Sequence, residues 1–287
     1  MLWKSQGCWH EGYPQMSKLV AGFELRGEER VALNFLDTSF HNENIAKAQG
    51  LRGALVAAFD NVWPANSLLE EQLSKRWLER GRLQVWFRKP VYDGDRIRAV
   101  VSSTAADDEF EARYEVLNQL DETVVEGGAG WSPASEPDPA PVPGASDDVS
   151  NLRGLAAFQL GAKRETELVL DADAIAENCK LNKDTYQDEE RVPTCYLTML
   201  ICAPVRTWLN EYGFGAGLFG KIDIRVHRRL QRGAIYQHTA TVVGLRRRGR
   251  FEFIDTEMRV YETGGAVAGQ LACAVSETHV LPELRPH

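Results

Sequence analysis

The feature that most constrains this chain is a pattern of strands that occurs twice, once in each half of its 287 residues. In the first half, strand-like segments rich in β-branched and aromatic residues cover 83–95, 96–105, 109–118 and 123–131. In the second half, the corresponding segments cover 221–233, 236–245, 251–261 and 266–275. Turn residues separate the segments at matching places in the two halves. The pattern predicts a four-strand antiparallel meander in each half.

A helix candidate rich in apolar residues precedes each meander. The first covers Gly53–Leu78 and contains Pro64, which is expected to break or kink the helix. The second covers Pro193–Tyr212 and has apolar residues around most of its circumference. Such a helix is normally buried, and in a unit of one helix and one sheet the sheet must wrap around it. The sequence therefore predicts an α+β fold in which two antiparallel sheets each wrap a long central helix.

The segment 132–150 reads SPASEPDPAPVPGASDDVS and has almost no large hydrophobic residue. Such a segment cannot bury apolar area, so it is predicted to be an extended linker. The predicted organisation is an N-terminal domain over 1–131, the linker over 132–150 and a C-terminal domain over 151–287. Each sheet has open edges that can pair with the other. We therefore expect an internal pseudo-dimer, either as a monomer or as a homodimer.

Charge and cysteine usage exclude several classes of partner. The net charge is −8, and the one basic run, 246–250, is expected to be a solvated hairpin turn, so nucleic acid is not an expected partner. The five cysteines have no metal-ligand spacing, which predicts reduced thiols, no metal and a cytoplasmic location. Since no stretch approaches the roughly 18 apolar residues of a membrane span, no membrane insertion is expected.

Two stretches of the first half resemble the MaoC-like hydratases and dehydratases. The first is Asp37-Thr-Ser-Phe-His41, followed by an Ala- and Gly-containing segment over 42–58. The second, Phe87-Arg-Lys-Pro-Val-Tyr-Asp-Gly-Asp95, is similar to the family's F-x-x-P-V-x-x-G-D strand and turn. The resemblance implies a double hotdog fold with the active site in the first half. It also implies that the second half is a degenerate copy that completes the fold.

The resemblance implies the reversible addition of water to a 2-enoyl group carried on coenzyme A or on a carrier protein, without a cofactor. This chemistry needs a base to activate water, an acid to protonate the α-carbon, and donors for the enolate oxygen. By resemblance, Asp37 and His41 would orient and deprotonate the water and then return a proton. The backbone amides of Ala57 and Ala58, at the amino end of the central helix, would hold the enolate oxygen.

Three further residues, Arg52, Gly53 and Arg88, are the candidate substrate-binding residues, the arginines as partners for a phosphate of coenzyme A. Two other functions stay open. A hotdog acyl-thioesterase would share the fold without needing an Asp/His water clamp. A non-catalytic acyl-binding protein is the other alternative, because Ala57-Ala58 stands where the family has His-Gly. Asp37 has a structural interpretation as a helix cap, and His41 has one as a surface or hydrogen-bonded structural residue. His238 is expected to be structural.

Overall fold

The structure is a computed structural model that describes residues 23–104, 110–131, 152–182, 192–212 and 217–282. The predicted linker, 132–150, lies outside the described residues. The α-helices are α1 (Glu43–Ala48), α2 (Ala58–Arg80), α3 (Ala172–Leu181) and α4 (Thr194–Glu211). The strands are β1 (Glu24–Arg26), β2 (Arg30–Val31), β3 (Gly81–Phe87), β4 (Arg96–Ser103), β5 (Ala112–Asn118), β6 (Thr123–Trp131), β7 (Lys163–Val169), β8 (Leu218–Val226), β9 (Ile235–Arg248), β10 (Phe251–Glu262) and β11 (Leu271–Pro282).

The described strands form one continuous antiparallel sheet instead of the two separate sheets expected from the sequence. Its order is β1-β4-β5-β6-β3-β8-β11-β10-β9-β7, and β2 also pairs with β4. The two halves join where β3 pairs with β8, over Arg82–Trp86 and Lys221–Arg225. Each half of the sheet packs on its own long helix, α2 in the first half and α4 in the second. The edge-to-edge pairing of the two halves predicted from the sequence is therefore present.

In each half, one pairing of the predicted four-strand meander is wrong, because the first strand does not pair with the second. Only β4-β5-β6 and β9-β10-β11 follow one another as meanders, whereas β3 lies beside β6 and β8 lies beside β11. The reason is the path of the chain after β3. It crosses the amino end of α2, where the Val56 amide donates to the Val91 carbonyl at 2.9 Å. It then turns back at Gly94, whose φ of 84° favours glycine, and enters β4 on the far side of β6.

Both predicted central helices are present with shifted ends. The helix predicted from residue 53 begins at Ala58. Residues 54–56 are not helical, because their extended backbone forms hydrogen bonds to the turn after β3. Pro64 does not break α2, which continues to Arg80. Its position in the second turn removes one intrahelical hydrogen bond without ending the helix. None of the helices in the described ranges combines the length and apolar character needed to cross a membrane.

The last strand of the second half differs most from its prediction. It was expected over 266–275 but begins at Leu271, because Gly265 and Gly269 have φ values of 68° and 78° and form a turn. Glycine adopts these dihedrals without the steric penalty that other residues incur. The basic run over 246–250 lies at the β9–β10 hairpin, as predicted. Strand β7 and helix α3 were not predicted.

The two central helices pack against each other and run antiparallel. The Cys195 amide at the start of α4 donates to Asn66 Oδ1 in α2 at 3.1 Å. One residue further along α4, the ring of Tyr196 lies 6.3 Å from that of Trp63, which is one turn nearer to the start of α2. A single cluster of buried hydrophobic residues includes side chains of both helices and of both halves of the sheet. The amino end of α2 therefore lies beside the carboxyl half of α4.

Candidate active site at the amino end of the first central helix

His41 is held by a hydrogen bond to the backbone. It ends a short 3-10 turn, Ser39–His41, in which Ser39 has a φ of 54°. Its Nδ1 lies 2.7 Å from the carbonyl oxygen of Leu55. Because a carbonyl oxygen can only accept, Nδ1 carries the proton in the neutral ring and Nε2 is left with its lone pair. The structure thus fixes both the orientation of the imidazole and the tautomer suited to a base.

Burial lowers the pKa of His41 below that of an exposed histidine. The hydrogen bond to Leu55 opposes this effect, and the positive charge of Arg206 in α4 lowers the pKa further. Desolvation disfavours the charged imidazolium, so the ring is held in its neutral form near pH 7. A neutral imidazole with a basic Nε2 can accept a proton from a bound water.

Asp37 is exposed and is held by a neighbouring side chain. Its Oδ1 accepts a hydrogen bond from Asn42 Nδ2 at 2.6 Å. The same Asn42 caps α1, because its Oδ1 accepts from the amides of Asn44 and Ile45. The helix cap considered for Asp37 is therefore supplied by Asn42. Within the described residues, Asp37 and His41 share no direct hydrogen bond, but both line the same cleft.

This cleft has a volume of about 590 Å³ and opens beside the 3-10 turn and the turn after β3. It is lined by Asn34, Leu36, Asp37, His41, Glu43, Arg52, Gly53, Ala54, Tyr92 and Asp93. The fold thus gathers four predicted site residues, Asp37, His41, Arg52 and Gly53, around one space. Two further lining residues, Glu43 and Asp93, carry carboxylates that the sequence analysis did not select.

Arg52 and Gly53 have different roles in the wall of the cleft. Arg52 Nη2 lies 2.7 Å from each oxygen of Asp95, and its guanidinium stacks 4.2 Å over the ring of Tyr92. Its side chain is still 60% exposed, so the guanidinium is oriented by protein but reachable by a ligand. Gly53 is buried, and a Cβ there would lie 3.1 Å from Glu43 Oε2, which accepts from the Ala54 amide. Gly53 therefore permits a close approach that fixes the loop.

Arg88 is not among the residues that line this cleft. It lies just after β3, where its Nε donates to Glu126 Oε1 at 2.8 Å. Its guanidinium lies 4.8 Å over the ring of Trp86. The three residues predicted to bind substrate are therefore divided between two places, and only Arg52 and Gly53 accompany His41.

The amides of Ala57 and Ala58 stand at the amino end of α2, as predicted. Ala57 is the residue before the helix, and no side chain caps it. Within the described ranges, neither amide has a hydrogen-bond acceptor, and both residues are half-buried. Unpaired amides at the positive end of a helix dipole favour an anionic ligand. Neither residue lines the cleft described above, but they follow Leu55, whose carbonyl orients His41, by only two and three residues.

The amino end of α4 occupies the corresponding position in the second half, and there side chains of α2 accept from the first two amides. Thr194 N donates to Glu70 Oε1 and Cys195 N donates to Asn66 Oδ1, each at 3.1 Å. Both acceptors come from the buried face of α2. The first two amides of α4 are therefore not available to a ligand oxygen. The two halves of the chain therefore differ in the feature that an oxyanion site requires.

Sequence reasoning missed the residues that the second half brings near the site. Arg206 of α4 acts electrostatically on His41, although more than 160 residues separate them in sequence. Phe219 of β8 contacts Phe59 in the first turn of α2, with ring centroids 5.1 Å apart. The antiparallel packing of α2 and α4 brings Arg206 near His41, and the pairing of β3 with β8 brings Phe219 to α2, so no local sequence signal marks either residue. Within the described parts of the chain, no cluster of His, Cys, Asp and Glu could hold a metal ion.

No protein-family model and no curated protein matches this sequence. Solved structures do match its fold. A protein described as a MaoC domain dehydratase, from Chloroflexus aurantiacus J-10-fl, superposes with a TM-score of 0.62 at 11% identity, over 93% of this chain and 96% of that chain. A conserved hypothetical protein from Mycobacterium tuberculosis, described as having a double hotdog fold, superposes with a TM-score of 0.61 at 11% identity, over 93% of this chain and 98% of that chain.

An oleoyl thioesterase from Lactobacillus plantarum, whose assignment is provisional in its own description, gives a TM-score of 0.50 at 9% identity, over 94% of this chain and 99% of that chain. The likenesses extend over nearly the whole of each chain, so they concern both halves and their arrangement. This chain is a double hotdog protein. Fold alone does not choose among the activities found on it.

Proposed function

We propose that this protein is a hydratase or dehydratase that adds water reversibly to a 2-enoyl group carried as a thioester on coenzyme A or on a carrier protein. The observation that carries the proposal is the hydrogen bond that His41 makes to the backbone. Its Nδ1 is fixed on the Leu55 carbonyl, so Nε2 is left basic, in the cleft that Asp37 also lines. A thioester hydratase needs such a base beside a group that orients water.

In the proposed reaction, a water molecule lies between the Asp37 carboxylate and His41 Nε2. Its oxygen bonds to C3 of the enoyl group as its proton passes to Nε2. The electron pair of the C2–C3 double bond moves toward the thioester, so negative charge develops on the carbonyl oxygen. The amides of Ala57 and Ala58 would stabilise this oxygen. The proton on Nε2 then passes to C2, which restores the neutral imidazole and completes a 3-hydroxyacyl thioester.

A thioesterase is the second candidate, and the likeness in fold to the oleoyl thioesterase supports it. The same water could attack the thioester carbonyl carbon instead of C3, with the same amides stabilising the oxyanion. A protein that binds acyl thioesters without turnover is the third candidate. It would use the cleft and the helix end without needing a base.

Purified protein is incubated with a panel of 2-enoyl and 3-hydroxyacyl coenzyme A thioesters, and the products are identified by mass spectrometry. The proposal expects gain or loss of one water, which disappears in Asp37→Asn. Release of free coenzyme A at a comparable rate would replace the hydratase with a thioesterase. Binding of the thioesters without any change in mass would leave the non-catalytic function.

A further inference from the structure

The packing of the two central helices determines which part of α4 lies beside the candidate site. Cys195 is level with Asn66, since the two are joined by a hydrogen bond, and the helices run in opposite directions. Arg206 lies eleven residues further along α4, which is about 16 Å of helix. From Asn66 back to Ala58 is about 12 Å of α2. Arg206 therefore lies just beyond the amino end of α2, near the level of Leu55.

The lowering of the pKa of His41 by the charge of Arg206 agrees with this position, because Leu55 is the residue that orients His41. Arg206 is exposed, and no carboxylate pairs with it in the described part of the chain. By contrast, Arg164 of β7 pairs with Glu211 at the end of α4. An uncompensated guanidinium beside unoccupied helix amides forms a local excess of donors and positive charge.

We propose that Arg206 contacts the thioester oxygen of the bound substrate and, with the amides of Ala57 and Ala58, stabilises the negative charge that develops there. The site is then completed across the junction, with the base from the first domain and a cation from the second. This inference rests on the proposed function, and it names a residue that the Asp37/His41 pattern does not contain. A guanidinium can supply the charge that two alanine amides alone provide only as partial dipoles.

The first test needs no substrate. The pKa of His41 is measured by NMR titration of the ring protons, with the His41→Gln spectrum assigning its signal among the six histidines. Arg206→Gln is expected to raise the pKa of His41, whereas Arg206→Lys leaves it near the wild-type value. Arg248→Gln, which removes an exposed guanidinium from the β9–β10 hairpin, is the matched control and is expected to cause no change. An unchanged His41 pKa in Arg206→Gln would place the guanidinium away from the site and overturn the inference.

The second test is kinetic, with the thioester that turns over best. Arg206→Gln is expected to lower kcat roughly 100-fold while KM changes little, because the interaction strengthens as charge develops. Arg206→Lys retains part of the rate, and circular dichroism confirms that each variant is folded. A rise in KM at unchanged kcat would assign Arg206 to a phosphate of the carrier and overturn the proposed role.

Failure of the proposed function can be separated from failure of this inference. If the wild type turns over no thioester, the hydratase is excluded, and Arg206 is judged by binding alone. The probe is then the butyryl amide analogue of coenzyme A, in which nitrogen replaces the thioester sulfur, measured by calorimetry. Weaker binding to Arg206→Gln than to Arg248→Gln supports the carbonyl contact, and equal binding excludes it.

Discussion

The backbone amide of Cys195 donates a hydrogen bond to the Oδ1 of Asn66, at 3.1 Å, and so joins the first turn of one central helix to the middle of the other. The neighbouring Thr194 amide is held in the same way by Glu70. Among the described residues, no equivalent side chain accepts from the amide of Ala57 or Ala58 at the start of α2. The two helix ends therefore differ, because side chains of α2 accept from the first two amides of α4 whereas no side chain caps the start of α2 within the described residues.

Asn66→Ala is expected to destabilise the protein by about 1–3 kcal/mol, because it leaves the buried Cys195 amide without an acceptor. Urea unfolding followed by circular dichroism measures the change. Asn210→Ala, on the exposed face of α4, is the matched control and is expected to change the free energy of unfolding by less than about 0.5 kcal/mol. Equal effects of the two substitutions would mean that the Asn66 contact does not hold the helices together.

Asp37→Asn and His41→Gln are each expected to reduce turnover of the best thioester at least about 100-fold, since each removes one of the two groups that activate water. Both side chains lie at the surface or half-buried, so the melting temperature should change little. Asp173→Asn, on an exposed position of α3, is a control for the loss of one carboxylate. Full activity in either site variant would remove the Asp37/His41 pair from the mechanism.

Most helices and strands could be predicted from the sequence, because their residue patterns and flanking turns are local. Strand β6 was predicted with its observed ends, Thr123–Trp131, because alternating residues and flanking turns define it locally. The placement of β3 beside β6 was not predictable in this way. It depends on the hydrogen bond between Val56 and Val91, which carries the chain across the helix end. Pairing between distant segments leaves no periodic signal in either of them.

The candidate site shows the same division between local and distant information. Asp37 and His41 were found because they are close in sequence. Arg88 was proposed for the site from its position in a family-like motif, yet it does not line the cleft, because it lies just after β3 and pairs with Glu126. Arg206 was missed because only the antiparallel packing of α2 and α4 brings it near His41.

The acid limb of the profile of kcat/KM against pH is expected below pH 6.5, which is the usual pKa of histidine. Burial lowers the pKa of His41, and the nearby charge of Arg206 adds to this effect, although the Leu55 hydrogen bond opposes it. The neutral ring is the base, so activity persists as pH falls until His41 takes up a proton. A pH–rate profile from pH 4.5 to 8 locates the limb. An acid limb above pH 6.5 would assign it to a different group.

His238 in β9 predicts a loss of stability in mild acid. It is fully buried, and burial lowers its pKa to about 4, although the Ile201 carbonyl and the Glu277 charge oppose this shift. In the unfolded chain His238 is therefore protonated near pH 6.5, whereas in the folded protein it is protonated only near pH 4. The stabilisation is complete above pH 6.5 and is lost as pH falls toward 4.

The free energy of unfolding of the wild type and of His238→Gln is compared at pH 7 and pH 4.5. The difference in free energy of unfolding between the wild type and the variant is expected to fall by about 2 kcal/mol at the lower pH, because the variant lacks this titration. Buffers of equal ionic strength keep screening of surface charges the same. An advantage of equal size at both values of pH would mean that the folded protein protonates His238 as readily as the unfolded chain does.

The junction of the two halves contains one ion pair with nearly ideal geometry. Arg82 Nε lies 3.0 Å from Asp223 Oδ1, and its Nη2 lies 2.6 Å from Oδ2. Only 15% of the arginine side chain and 8% of the aspartate side chain are exposed. Asp223→Ala leaves the guanidinium largely buried without this partner, so it is expected to cost about 3 kcal/mol in urea unfolding.

The exposed pair of Arg164 and Glu211 is the control for this prediction, because it is also bidentate but lies at the surface. Glu211→Ala is expected to cost less than about 1 kcal/mol, since water replaces the lost partner and screens the remaining charge. Replacing both members of the junction pair, as Arg82→Met with Asp223→Leu, should recover most of the loss, because no buried charge remains. If Asp223→Ala costs no more than Glu211→Ala, the pairing of β3 with β8 depends on its backbone hydrogen bonds and apolar packing, and the ion pair adds little to it.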